Sequence, residues 1–390
     1  MLMRSMFIRL LVAVLAVLAV WGLDRVQKPL AQGPALAVWP RGAAGVGTGT
    51  LKAVATGNIP MPAGVRAAHA SSLLAMPPGH DAVLTAFWFA GDRESAPNVQ
   101  IAASQFDRKT QAWRPSRFVV NRHIMGEQLG FGLRRLGNPV AWLDGAGRMH
   151  LFVVATGWGG WAAGRVLHLV QSSSSNDLSA LSFVPVRVLP LSWLWNTSFL
   201  VRNNPLQLAD GGMELPVHFE IGIKYPVAVR FDAQGNFVGM ERISRGNHLL
   251  QPTFLMQSPT HWLALMRDHR PDGHVGVAQT LDGGKNWQDL PDLALVNPDA
   301  AVNGLGLADG SMVLVHNSSP HSRSLLDVSA STDGVRWNSV AALAHGQDSD
   351  EYSYPGLTWA DGALWVSYTD HRKYISWQRL VPVSPMGGQP

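Results

Sequence analysis

Apolar and polar residues alternate over short runs along most of the chain, each run closed by a tight turn. No stretch beyond residue 25 keeps helical spacing over a convincing length. One unit recurs: an apolar strand, a turn usually containing Asp-Gly, and a second apolar strand. It reads PVAWLDGAGRMHLFVV, PLQLADGGMELPVHF, GLGLADGSMVLVHN and LTWADGALWVSYT, with looser copies in LLAMPPGHDAVLTAFWF and TFLMQSPTHWLALM. With His80, Asp144, Asp210, Thr260, Asp309 and Asp361 as turn markers, the spacings are 64, 66, 50, 49 and 52 residues. Six copies at this period predict an all-β chain folded as a six-bladed β-propeller over residues 61–380, followed by a short tail at 381–390.

The N-terminus breaks the pattern. Arg4 and Arg9 precede an unbroken apolar run from Leu10 to Leu23, closed by Asp24 and Arg25. Residues 1–25 are expected to be a transmembrane anchor or a signal helix, with a membrane as partner through residues 4–25. The positive-inside tendency would hold Arg4 and Arg9 in the cytoplasm. The remainder would then be anchored facing the periplasm, or secreted if the segment is cleaved. Residues 26–60, rich in Gly, Pro and Ala, read as a linker into the first strand.

Composition sharpens this. The 39 Gly and 25 Pro supply turns, and charged residues make up only 15%. With no Cys, disulfides and thiol chemistry are excluded. A net charge of +4 without a basic run argues against nucleic acid. No metal or cofactor signature is present; Asp268, His269, Asp272 and His274 cluster, but around a Pro-Asp-Gly turn that reads as a solvated loop. Fifteen Trp against five Tyr need a reason, and a second hairpin supplies part of it. Thr280-Leu281-Asp282-Gly283-Gly284-Lys285-Asn286-Trp287 and Ser331-Thr332-Asp333-Gly334-Val335-Arg336-Trp337 share Ser/Thr, Asp, Gly and a following Trp, with looser copies around Asp107, Asp232 and Asp177. The Asp can accept from turn amides, Gly supplies positive φ, and the aromatic packs between sheets.

These motifs resemble the Asp boxes, or bacterial neuraminidase repeats, of the sialidase superfamily over about residues 60–380. The resemblance implies structural roles for Asp107, Asp282, Trp287, Asp333 and Trp337, and an exported protein that processes acidic glycans, of exo-α-sialidase type. Such a site holds a sugar carboxylate with arginines, uses a Tyr as nucleophile because a carboxylate would be repelled, and adds a separate acid. Carried over by position, Arg267 and Arg323 bind the carboxylate and Tyr352 is the nucleophile, with Tyr354 on the same face if the segment is extended. Asp92 or Glu94 is the acid, with Glu94 preferred. The first arginine position holds His69, with Arg66 three residues away, and the position of the Glu base holds Gln251.

Those departures resemble another sialidase-like branch, carrying His69 to Leu73, Gly137-Asn138-Pro139, Asn204-Pro205, Gln251-Pro252 and Glu351 to Pro355. Related propellers include polysaccharide lyases acting on uronate-containing glycans. Two alternatives to a hydrolase therefore stay open: such a lyase, and a non-catalytic glycan-binding propeller. In the hydrolase His69 assists, in the lyase His69 or Tyr352 is the base, and Asn138, Gln251 and Tyr354 are expected to contact sugar. His218 and Glu220 alternate onto one strand face as a pair toward the axis. Trp158, Trp161, Trp193 and Trp195 suit either sugar stacking or packing between blades.

Overall fold

The computed structural model describes residues 2–27, 33–43, 45–47, 49–94 and 96–383; the tail from 384 onward lies outside the described residues. Six antiparallel sheets form a propeller. Their innermost strands, blade 1 to blade 6, are Ala67–Ala75, Arg135–Leu143, Phe199–Val201 continued by Leu206–Gln207, Leu249–Met256, Asn303–Gly306 and Tyr352–Ala360. Blades 1 to 5 add their outer strands in chain order. Blade 6 is completed from the other end of the chain, where Leu51–Asn58 pairs antiparallel with Tyr374–Pro382.

The second strand of each blade is apolar on both faces because a neighbouring blade covers each side. In Ala82–Gly91 every residue is buried. Between blades 2 and 3, Val140, Phe152 and Val166 meet Phe199, Val217 and Val229. Each such side chain contributes about 1.5–3 kcal/mol on removal from water. Between blades 6 and 1, Trp365 stacks on Trp377 at 5.5 Å and meets the Phe106 edge at 4.7 Å. Part of the Trp abundance is therefore inter-blade core.

Both tight hairpins of each blade close at the same end of the propeller, here the turn end. The predicted staples are there. Asp282 Oδ1 accepts from Asn286 N (2.8 Å) and Asp333 Oδ1 accepts from Val335 N and Arg336 N (2.9 and 2.8 Å). Trp287 Nε1 donates to Gly284 O, and Trp337 Nε1 to Gly334 O, both at 3.1 Å. Asp107 accepts from Lys109 N and Thr110 N in the same manner.

Two expectations change. Within the stretch read as a linker, residues 35–43 form a strap on the turn end and Leu51–Asn58 is a strand. Ala37 N donates to Pro259 O, Ala209 N to Leu36 O and Ala308 N to Ala43 O, so the strap crosses blades 3 to 5 before Leu51–Asn58 closes blade 6. The sequence concealed this because its Gly, Pro and Ala lack a strand pattern, while the backbone bonds that order it come from distant residues. At the N-terminus a helix forms over Leu2–Gln27, with Phe7, Leu11, Leu15 and Leu18 exposed. Among the described residues, however, no helix is long and apolar enough to cross a membrane, so the expected span over 4–25 gains no support.

Candidate functional site

The other end of the axis, the loop end, is built on four matching bulges. In blades 1, 2, 4 and 6 two residues of the inner strand oppose one residue of its partner: Ala70-Ser71, Asn138-Pro139, Gln251-Pro252 and Tyr354-Pro355. The first residue of each pair is left-handed, with φ of 54°, 44°, 52° and 53°. For non-glycine residues this conformation carries a cost, and it persists where surrounding structure fixes it. A bulge redirects a side chain that regular alternation would aim elsewhere. Three of the four motifs carry Pro at the second position, where the missing N–H costs no ladder bond.

Redirection decides which tyrosine occupies the centre. Regular alternation would place Tyr352 and Tyr354 on one face, but the bulge separates them. Tyr354 packs on His69 with ring centroids 4.3 Å apart, accepts from Arg267 Nη1 at 3.4 Å, and lies beneath the Arg323 guanidinium at 5.9 Å and beside that of Arg202 at 5.3 Å. Tyr352 instead packs against Tyr368 and His371. The assignment of Tyr352 as the central hydroxyl is thus corrected to Tyr354. Extended-strand reasoning failed because Tyr354 is itself the left-handed first residue of the bulge, where two residues oppose one on the partner strand.

Arg267 is the penultimate residue of the second strand of blade 4, Trp262–Asp268. Its Nε donates to Asp299 Oδ1 (2.6 Å) and its Nη1 to Gln251 Oε1 (3.2 Å). Burial opposes its charge, but Tyr354 and Asp299 outweigh that and hold its pKa above the usual arginine value. Arg323 Nη2 donates to Asp299 O (2.6 Å) and Nη1 to Glu351 Oε1 (3.3 Å). Glu351, the inverse face of the Tyr352 position, also takes Arg372 through both oxygens and Ser353 Oγ. Burial would raise its pKa, yet Arg372 and Arg323 bring it down to about 2. Glu94 pairs with Arg372 on the cleft wall, so the expected acid is held in an ion pair. Asp92, one turn away, is exposed and lines the same cleft with Arg66 and Trp161.

His69 is 3% exposed, and burial first, then nearby arginines, push its pKa well below 6.5, leaving a neutral imidazole. Its Nδ1 is buried without a hydrogen-bond partner. Asn138 is nearly buried at its bulge in the adjacent blade. The expected His218–Glu220 pair forms at 3.2 Å, and Glu220 feels the charge of Arg267. The Asp268 to His274 segment is structural: buried Asp268 accepts from Arg270, and among the described residues no group could hold a metal.

Four participants escaped the sequence reading. Arg202, fully buried, donates to Ser71 O (3.1 Å) and Pro355 O (2.8 Å), so it ties the bulges of blades 1 and 6 beneath the site. Burial lowers its pKa to about 10. Asn203 Nδ2 reaches Gln251 O, Pro252 O and Val302 O at 2.9–3.0 Å, tying blades 4 and 5. The signal was an arginine inside the apolar run FLVRNNP, immediately before an Asn-Pro motif already noted. Asp299 follows a further Asn-Pro pair, Asn297-Pro298, in the segment leading to the inner strand of blade 5. Arg372 lay in a Asp-His-Arg-Lys turn that looks solvated.

The comparisons agree with this architecture. The sequence matches the BNR repeat-like domain family over residues 82–366. No curated protein matches the chain. Among solved structures, the Hadza microbial sialidase Hz136 is similar with a TM-score of 0.65 at 15% identity, covering 81% of this chain and 66% of that one. The Trypanosoma rangeli sialidase in complex with the inhibitor DANA gives 0.64 at 14% identity, covering 84% and 58%. A protein of unknown function from Dyadobacter fermentans gives 0.64 at 12%, covering 86% of this chain and 100% of that one. The chain thus spans two-thirds or less of the two sialidases' length, and at these identities the likeness is one of fold.

Proposed function

We propose that this chain, which belongs to the BNR repeat-like domain family, processes an acidic glycan at the loop end of its axis as a sialidase-like glycoside hydrolase. The observation that carries the proposal is the seat of Tyr354, redirected by its bulge onto His69 and Arg267 beneath Arg323. A sugar carboxylate would lie on the Arg267 and Arg323 guanidiniums, whose fork geometry suits it. A neutral phenol tolerates that anion where a carboxylate nucleophile would repel it. Tyr354 Oη would attack the anomeric carbon, passing its proton to the neutral His69 imidazole packed on it, as the glycosidic C–O bond breaks and the leaving oxygen takes a proton from Asp92 at the cleft mouth. Water, giving a proton back to Asp92, would then release the sugar as His69 returns its proton to Tyr354. The sialic acid seen bound to the Trypanosoma rangeli sialidase is one sugar of the required kind. Export through the N-terminal segment belongs to the same proposal.

One observation favours a second reading, elimination next to a uronate carboxylate. Two carboxylates that hold the site's arginines are themselves in ion pairs, Asp299 on Arg267 and Glu351 on Arg372 and Arg323, while neutral His69 packs on the phenol. Tyr354 and His69 would then share the proton removal and donation, and the product would carry a new C=C bond. A glycan panel separates the readings: released reducing sugar without ultraviolet absorbance supports hydrolysis, and an absorbing unsaturated uronate supports elimination. Binding without product leaves neither.

A further inference from the structure

Beside the site lies a cleft that the chemistry above does not use. Its volume is about 780 Å³, and it opens at the loop end between blades 2 and 3. Three tryptophans line it with unusual exposure for their size: Trp158 at 81%, Trp193 at 46% and Trp195 at 60%. Large indoles normally gain by burial, so three exposed together on one concave surface need a ligand to account for them. Two cations stand with them. The Arg134 guanidinium lies 3.8 Å over the Trp158 ring, and exposed Arg165 lines the same cleft. Among the described residues, no acidic side chain lines it.

The cleft is continuous with the site through one loop. Trp158 and Trp161 belong to GWGGWAAG, which follows the second strand of blade 2. Trp161 faces the other way, into the cleft holding Arg66, Asp92, Glu94 and Arg372, and its ring lies 6.0 Å from Phe89, itself 5.3 Å from His69. The seat of Trp161 depends on Gly137, where a Cβ would come within 2.5 Å of the ring. The first glycine of the Gly137-Asn138-Pro139 motif thus serves the aromatic track, and the asparagine beside it serves the central bulge.

We infer that Trp158, Trp193 and Trp195 form a second, flanking subsite that stacks the sugar rings of an extended anionic glycan, making the substrate a polymer or long oligosaccharide. This rests on the glycan reading of the central site and adds the length of the substrate. Aromatic faces accept the apolar C–H faces of sugar rings, while Arg134 and Arg165 favour repeating carboxylates.

The test is calorimetric titration of the full chain with sialic acid and galacturonate oligomers of increasing length. The wild type and the Trp158→Ala/Trp195→Ala double variant are compared. The expected result is about tenfold tighter binding of long oligomers than of the monosaccharide, lost in the double variant while monosaccharide binding is unchanged. Length-independent affinity, a length gain that survives the double variant, or equal loss for monosaccharide and oligomer would each overturn the inference. An Arg267→Ala chain is titrated alongside: if it still binds monosaccharide normally, the central-site reading fails, whatever the tryptophans do. Sedimentation with phosphatidylglycerol vesicles completes the test. Vesicle binding that disappears in the double variant would assign the tryptophan face to a membrane and overturn the glycan assignment.

Discussion

The two ends of the propeller axis are made from the same inner strands and differ in nearly every other respect. At the turn end the strands run regularly into tight hairpins and enclose a cavity of about 240 Å³, lined by side chains such as Leu73, Phe254, Met256, Leu305 and Leu357 beneath the strap residue Pro40. Among its polar lining residues is Asn204, whose amide is spent on Leu73 O and Leu357 O. At the loop end the bulges interrupt those strands and bring Tyr354, Gln251 and His69 together with arginines from three blades. Arg202 and Asn203 lie between, bonding the carbonyls that the bulges release. The difference teaches that in this chain chemistry comes from local departures from strand geometry, imposed on a scaffold whose regular end supplies stability.

That division can be broken in either direction. The largest effect is expected at the loop end: Arg267→Ala should lower kcat/KM on the responsive glycan by about 10²–10³-fold, with a small change in Tm. A comparable loss of Tm would show that the pair with Asp299 is structural. Next comes the turn end, where Leu357→Ala should cost about 2–5 kcal/mol in denaturant unfolding while turnover per folded molecule is unchanged. A change in KM there would mean that the apolar cavity communicates with the site. Trp337→Ala, at an Asp-box staple, should cost about 1–2 kcal/mol and leave activity alone. The smallest effect concerns pH. The folded pKa of Glu351 is depressed from 4.5 to about 2, so its contribution is complete above pH 4.5 and is lost as pH falls toward 2. Glu351→Gln should flatten that acid limb of stability by about 1 kcal/mol, as suits a partly exposed ion pair. An unaltered acid limb would remove Glu351 from the electrostatic account.

The fold was legible because its signals are periodic. Six hairpin markers, Asp282 and Asp333 with their glycines, and the following tryptophans report backbone conformation directly, and each turned out to be a turn or a staple. The strap at 35–43 was not legible, since its order comes from bonds to residues far along the chain. In the site, Arg267, Arg323, Gln251 and His69 were found by their position relative to the hairpins and do converge. Tyr352 was chosen by the Tyr-Ser pattern of the resemblance, and alternation, blind to a bulge, put Tyr354 on the same face, although Pro355 directly after Tyr354, like Pro139 and Pro252 after their partners, marked the place. Arg202 was missed because a buried cation bonded to backbone carbonyls leaves no motif, only an incongruous charge in FLVRNNP.

The claim on which the account turns is that the bulge, and not strand alternation, selects the reacting hydroxyl. Paired substitution measures it: Tyr354→Phe and Tyr352→Phe are compared for turnover of the glycan that the wild type accepts, each checked for an unchanged unfolding transition. The account predicts that Tyr354→Phe loses activity by about 10²–10⁴-fold while Tyr352→Phe stays within about twofold of the wild type. Full activity in Tyr354→Phe, with the loss appearing in Tyr352→Phe, would contradict it.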